Sequence, residues 1–383
     1  NNPKILKSSN DYRDYKYIKL PNNLDIILIN DNETNISSVS LGVGVGSLDE
    51  SDVLGMAHFL EHMLFLGSTK YPNENEFMDF ISRKGGDTNA YTANDHTTFF
   101  FTINSEYLIE ALDIFAHFFI NPLFNPSSIK KEMNSIDSEY NKDLPLEENR
   151  ILHVLKSICN ENNTFSKFST GNLFTLNIPN IEKKIRNFYE KYYSAQNMKL
   201  VILTNHKFDI IENFIIDLFG KIPNNPVSKI QSNGKIFIDP KFIEIESGRA
   251  ENRLIFYFQF PHNSKHKYIK PIDIITYLLD YKGPDNFIHK KSLCNLLKRL
   301  DLISDIRVIH ENIKDYNLLS IEFILTDKGS HNLNYIYHYL FLYIGFIKDN
   351  MKRKSIDIKN IYNQIKFFKM QKFRNNDIDD FSE

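Results

Sequence analysis

Two histidines four residues apart, with a glutamate between them, are the residues of this chain best suited to chemistry. They are His58, Glu61 and His62, in the run Gly55-Met56-Ala57-His58-Phe59-Leu60-Glu61-His62-Met63-Leu64-Phe65. On a helix, positions i and i+4 share a face, so both imidazoles can be offered to one metal ion. Glu61 comes three residues after His58 and borders that face, within reach of water held beside such an ion without being a ligand itself. Leu54, Met56, Ala57, Phe59, Leu60, Met63, Leu64, Phe65 and Leu66 cover nearly every side of the helix, and a helix apolar all round is a buried one. Two imidazoles and a carboxylate buried there cost on the order of several kcal/mol unless they are paired or bound to a metal. The plainer alternative is a hydrogen-bonded core cluster in which Glu61 bridges the two histidines.

A catalytic zinc takes three protein ligands and keeps a fourth position open. The helix after Pro126 offers Glu132 and Glu139, about two turns apart and therefore on one face. Acid pairs on helices are more often solvated than functional, and the residues alone leave Glu74, Glu76 and Asp95 as further candidates for the third ligand.

The elements that must position these groups can be read from pattern. Tyr17 to Asn30 gives two strands around a turn at Pro21-Asn22-Asn23, and Val39 to Ser47 a third strand. Helices come next over about Asp52 to Leu66 and Glu74 to Lys84, the second stopped by Gly85-Gly86. Thr88 to Thr92 and Thr97 to Ile103 read as two strands joined by Asn94-Asp95-His96. Tyr107 to Phe119 is helical, and the helix carrying the two glutamates runs from an N-cap at Ser127 or Ser128 to about Asn141. Lys199 to Thr204 is a short buried strand and Asp209 to Phe219 a helix. The stretch Pro223 to Lys235 has the composition of a linker. Beyond it come a strand at Arg253 to Phe260, helices at Ile272 to Tyr281 and Ser292 to Leu300, a strand near Leu318 to Leu325 and a long helix from Asn332. Strand and helix segments recur in a comparable order in both halves, as in a duplicated α+β unit. The expected limits are 1–228 for the first domain, 229–238 for a linker and 239–383 for the second.

Composition bounds the rest. With 383 residues, 42% hydrophobic and 25% charged, and a formal net charge of -2, the chain is an ordinary globular protein of two or three domains. Nothing in it forms a basic tract or phosphate loop, so nucleic acid is not an expected partner. The most apolar run, Leu340 to Ile347, is too short to span a membrane and reads as part of a packed helix. Cys159 and Cys294 are read as two buried thiols, too few and too far apart for a disulfide framework or a thiolate zinc site. The first residue is Asn1 rather than Met, which leaves room for a removed targeting segment; the compartment stays open, with the cytoplasm favoured.

The longer sequence around the histidines resembles the insulysin and pitrilysin branch of the inverted-zincin metallopeptidases. The resemblance rests on Gly55 through Gly67, on Tyr71-Pro72-Asn73-Glu74-Asn75-Glu76-Phe77, on Ser138-Glu139 with the preceding Glu132, and on Ser166-Lys167-Phe168-Ser169-Thr170-Gly171-Asn172. It is close over about the first 205 residues and looser beyond. Mitochondrial processing peptidases share the metal motif but fit less well around it. The resemblance implies one Zn²⁺ per chain held by His58, His62 and Glu139, with Glu61 as general base and Glu132 as an outer carboxylate that orients a liganding imidazole. It also implies that Asn89, Ala90, Tyr91 and Thr92 form an edge strand to which a peptide substrate adds as a further strand. The fold it implies is α+β, with two homologous domains, each a mixed, largely antiparallel sheet against helices: 1–228 metal-binding and catalytic, and 239–383 non-catalytic and incomplete.

The activity so implied is that of a zinc-dependent endopeptidase acting on peptides or small unfolded polypeptides held in a closed chamber. The alternative is a catalytically silent relative acting as a binding or assembly subunit. The chain departs from the family pattern in two places. Tyr277 and Tyr281, near Gly283-Pro284, stand where hormone-degrading members carry two histidines of an exosite. The family's second half, which closes over the first and supplies an Arg and a Tyr to the substrate, is also missing. That carboxy-terminal half is therefore an expected partner. Without it the chain is expected to be a poor peptidase and, with the partner surface exposed, prone to self-association.

Overall fold

The computed structural model describes residues 5–228, 230–231, 234–246, 248, 251–262, 271–282, 292–354 and 356–375. Lys229, Ser232 and Asn233 of the expected linker, and Gly283-Pro284, lie outside the described residues. Contacts within the chain divide it into two units, residues up to 233 and residues 234–377.

In the first unit the sheet is built by alternation. β1 (Asp14–Lys19) and β2 (Asp25–Asn30) form a hairpin in which Asn23 takes the left-handed turn position at φ 67°. β3 (Ile36–Val43) buries every second residue. α1 (Met56–Leu64) and α2 (Glu76–Arg83) then lead to β4 (Asp87–Thr92) and β5 (Thr97–Asn104). α3 (Leu108–Ile120), α4 (Pro126–Asp143), α5 (Glu147–Ser157), the short α6 (Leu173–Leu176) and α7 (Ile181–Tyr192) precede β6 (Met198–Thr204) and α8 (Phe208–Phe219). The strand order is β1-β2-β6-β3-β5-β4, and only β2 and β6 run parallel, which makes the sheet mixed and largely antiparallel.

The core sits between this sheet and the helices. Phe99, Phe101 and Ile103 of β5 face inward, where Phe77 of α2 and Phe115, Phe118 and Phe119 of α3 pack edge-to-face, with ring centroids as near as 5.0 Å. Each large side chain buried in this way contributes about 1.5–3 kcal/mol, so α1 is laid on a rigid floor.

α4 starts earlier than composition suggested. Its N-cap is Asn125, with Pro126 in the first helical turn where a missing N–H costs nothing, and the Ser128 hydroxyl donates instead to Glu74 Oε1 at 2.5 Å.

The second unit contains β7 (Arg253–Pro261), α9 (Pro271–Leu279), α10 (Leu293–Arg299), β8 (Ile303–Ile313), β9 (Tyr316–Leu325), α11 (Asp327–Ser330), α12 (Leu333–Lys352) and α13 (Ile356–Arg374). Its described strands form an antiparallel sheet in the order β7-β9-β8, packed on a core of its own. The chain is thus α+β, with two sheet-on-helix units. Of the two thiols expected to be buried, Cys294 is, whereas Cys159, at the turn after α5, is only half-buried. Leu340 to Ile347 falls inside α12, and no helix among the described residues is long and apolar enough to cross a membrane.

Candidate metal centre

α1 begins at Met56, later than its apolar pattern suggested, because Gly55 lies in the left-handed region at φ 85°. A Cβ on Gly55 would also stand 2.2 Å from the Cα of Gly171, so only glycine suits this position. The helix buries Met56, Ala57, Phe59, Leu60, Met63 and Leu64 and packs against α4, which leaves His58 and His62 facing the two glutamates there.

The hydrogen bonds fix the ring orientations. His58 Nδ1 lies 2.7 Å from the Thr170 carbonyl oxygen. A carbonyl only accepts, so Nδ1 carries the proton and Nε2 presents a lone pair. His62 Nδ1 lies 3.0 Å from Glu132 Oε2 and donates to it in the same way. The two Nε2 atoms then face each other at 3.2 Å, and Glu139 Oε2 is 3.7 Å from each. Lone pairs and a carboxylate oxygen this close repel one another unless a cation lies among them. The ligand atoms of His58, His62 and Glu139 all fall within 4.8 Å of one another, and two imidazole nitrogens with one carboxylate oxygen form a donor set that suits zinc. The field has the same sign: burial acts to lower the His62 pKa, yet the Glu132 hydrogen bond and the charges of Glu61, Glu132 and Glu139 outweigh it and raise it.

Glu61 does not bridge the histidines. The Thr92 hydroxyl donates to its Oε2 at 2.6 Å, and Thr92 Oγ1 lies 3.4 Å from Thr97 Oγ1, which in turn donates to the Val45 carbonyl. Burial pushes the Glu61 carboxyl above the usual range; the Thr92 bond and the two histidines pull it back, and Glu139 adds to the rise. The other acids considered for a third ligand are engaged elsewhere. Glu74 holds Ser128 and Lys131, Glu76 accepts from Asn73, and Asp95 pairs with His96.

Asn89, Ala90, Tyr91 and Thr92 lie on β4, which among the described residues pairs only with β5 and forms one edge of the sheet. The Ala90 N–H donates to Asn89 Oδ1 at 2.9 Å, a local bond that an incoming carbonyl could replace. Through Thr92 this edge is one hydrogen bond from Glu61. Two partners are not legible in the sequence: the Thr170 carbonyl on His58, and the Thr92 hydroxyl on Glu61. Both lie inside segments that the sequence singles out, but a backbone carbonyl has no sequence signal of its own.

Known proteins resemble this chain in sequence and in fold. Residues 25–168 match the family described as Insulinase (Peptidase family M16), and residues 181–360 match the Peptidase M16 inactive domain. The A-factor-processing enzyme of Saccharomyces cerevisiae is 33% identical over 379 residues, which cover 95% of this chain and 36% of that protein. A Schizosaccharomyces pombe relative, mug138, whose name describes it as a zinc protease, is 32% identical over 365 residues, covering 90% of this chain and 36% of its own length. The crystal structure of pitrilysin superposes with a TM-score of 0.88 at 29% identity, over 98% of this chain and 40% of that one. The chain therefore spans little more than a third of the length of these relatives.

Proposed function

The chain belongs to the insulinase family of peptidases, M16, and from that premise we propose that it is the amino-terminal, metal-bearing part of a zinc endopeptidase that hydrolyses peptides held along β4. In this reading residues 1–228 carry the chemistry, 229–238 link, and 239–383 form a second domain without catalysis. One observation supports it above the others: two imidazole Nε2 atoms 3.2 Å apart, each with its other nitrogen committed as a donor, beside Glu139 Oε2. His58, His62 and Glu139 would hold the ion, and Glu132 would orient His62.

Zinc bound there supplies a Lewis acid that polarises the scissile carbonyl and lowers the pKa of water to about 7. Glu61 takes the proton from the attacking water and returns it to the leaving amine. Thr92 holds the Glu61 carboxylate in one plane and ties it to the strand along which substrate backbone would pair. Oxyanion donors and the walls that exclude water come, in this reading, partly from a carboxy-terminal half of the kind the longer relatives possess.

The test is turnover of a quenched peptide library by the chain mixed with a separately expressed carboxy-terminal half. Glu61→Gln should retain zinc and lose roughly 10²- to 10⁴-fold in rate. Loss of zinc with the activity would make Glu61 a ligand rather than the base, and full activity in the variant would refute the mechanism.

A further inference from the structure

Behind the first turn of α1 lies a set of ionisable side chains, Glu50 and Lys156 buried and Lys167 half-buried, that none of the proposed chemistry uses. Glu50 is fully buried, and both of its oxygens are occupied by the start of that helix: Oε2 accepts from the Gly55 N–H at 2.8 Å and Oε1 from the Ala57 N–H at 2.8 Å. Gly55 has no side chain to cap the helix, so Glu50 does this from five residues upstream, satisfying donors that a helix start leaves open. The Glu50 carbonyl in turn accepts from Lys167 Nζ at 2.9 Å. Lys156 of α5, also buried, donates to the Lys167 carbonyl at 3.0 Å and to Ser169 Oγ at 2.8 Å. The segment held by the two lysines continues directly into Thr170, whose carbonyl accepts from His58 Nδ1, and Gly171, whose backbone lies against Gly55.

We propose that Glu50, Lys156 and Lys167 are positioning residues for His58: they lock residues 167–171 against the first turn of α1, so that the Thr170 carbonyl fixes the imidazole with Nε2 turned toward Glu139. A backbone carbonyl can set a ring only if its own segment cannot move, and the directed hydrogen bonds of buried Glu50, buried Lys156 and half-buried Lys167 meet that need where apolar packing alone would not set direction. Desolvation makes such groups costly in a core. Burial pushes the Glu50 carboxyl up to about 8 against the pull of the Ala57 and Gly55 N–H groups and of both lysines, so the arrangement is maintained at a cost to stability. Outer partners of liganding histidines are commonly worth about 10- to 100-fold in metal affinity.

The inference rests on the metal-site reading for its affinity readout but not for its structural one. In the whole chain labelled with ¹⁵N-histidine and freed of metal, His58 should show a hydrogen-bonded, slowly exchanging Nδ1–H resonance. Lys167→Met and Glu50→Gln should lose that resonance and bind zinc at least about tenfold more weakly, while Lys167→Arg, which keeps a donor, should retain both properties. A folded Lys167→Met variant with the resonance intact and unchanged zinc affinity overturns the proposal. Should Glu50→Gln fail to fold, Lys167→Met decides alone. A wild-type chain that binds no zinc overturns the metal reading instead, and the resonance still judges the lock.

Discussion

The two units are variations on one plan. In the first, β3 leads through α1 and α2 to β4 and β5, in the spatial order β3-β5-β4; in the second, β7 leads through α9 and α10 to β8 and β9, in the order β7-β9-β8. α1 therefore corresponds to α9 and, counting the long helices after each hairpin, α4 to α13. At the equivalent place the second unit has a cavity of about 390 Å³ lined by Tyr277, Tyr281, Asn363, Gln364, Phe367 and Phe368. Tyr277 and Tyr281 keep the i, i+4 spacing of His58 and His62, their rings 5.8 Å apart, but α13 brings amides and phenyl rings to this cavity instead of a carboxylate. Buried charge divides likewise: among the described residues Asp31, Asp49, Glu50, Glu61 and Lys156 are all in the first unit, and the buried polar side chains of the second are Ser292 and Asn317. The architecture thus tolerates a metal site without requiring one. What distinguishes the units is a few donors and the buried network that aims them.

The largest loss is expected where the units differ by a carboxylate. Glu139→Gln gives α4 the amide chemistry of α13 and should reduce zinc binding below detection at equimolar metal. Glu132→Gln should weaken it only about 10- to 100-fold, because that residue acts through His62. Isothermal titration of both variants with zinc checks the order, and the reverse order would exchange their roles.

A smaller effect is expected at the β4 edge. Ala90→Pro removes one N–H from a strand whose outer side is unpaired, so peptide affinity should fall by several-fold with zinc content unchanged. Equal peptide binding by wild type and variant, measured by fluorescence anisotropy, would argue against strand addition there.

The smallest effect is on stability. The Glu50 pKa rises from 4.5 to about 8 on folding, so the folded state is favoured while this group is protonated. That stability is fully present below pH 4.5 and is lost as pH rises toward 8. Thermal melts of the metal-free chain should show a Tm that declines across this window, and Glu50→Gln should flatten the decline. An unchanged slope in the variant would assign the dependence to other groups.

Much of the site is legible in the sequence. His58, Glu61 and His62 announce themselves because helical spacing and an apolar surround leave few other uses for them. The hairpins around Asn23 and Asn94-Asp95-His96 carry turn residues that fix their positions. Pattern alone does not select Glu139, since acids seven apart are common on solvated helices; the family resemblance points to it, and proximity to both Nε2 atoms separates it from Glu74 and Asp95. Glu50 sits in the acidic run Asp49-Glu50-Ser51-Asp52, where nothing in the pattern marks it for burial, and only tertiary contacts bury it. β8 is hidden because, as an edge strand, it interleaves exposed charges such as Arg307 and Glu311 with its apolar residues, and α13 because its polar composition masks a helix held by few buried positions such as Ile361 and Ile365.

The most direct test is the metal content of the purified chain after equilibration with zinc and removal of excess. One zinc per chain is predicted, lost in His58→Ala and His62→Ala and retained in Tyr277→Phe and Tyr281→Phe. No zinc under these conditions, or zinc that survives loss of both histidines, would contradict the assignment of the metal site to the first unit.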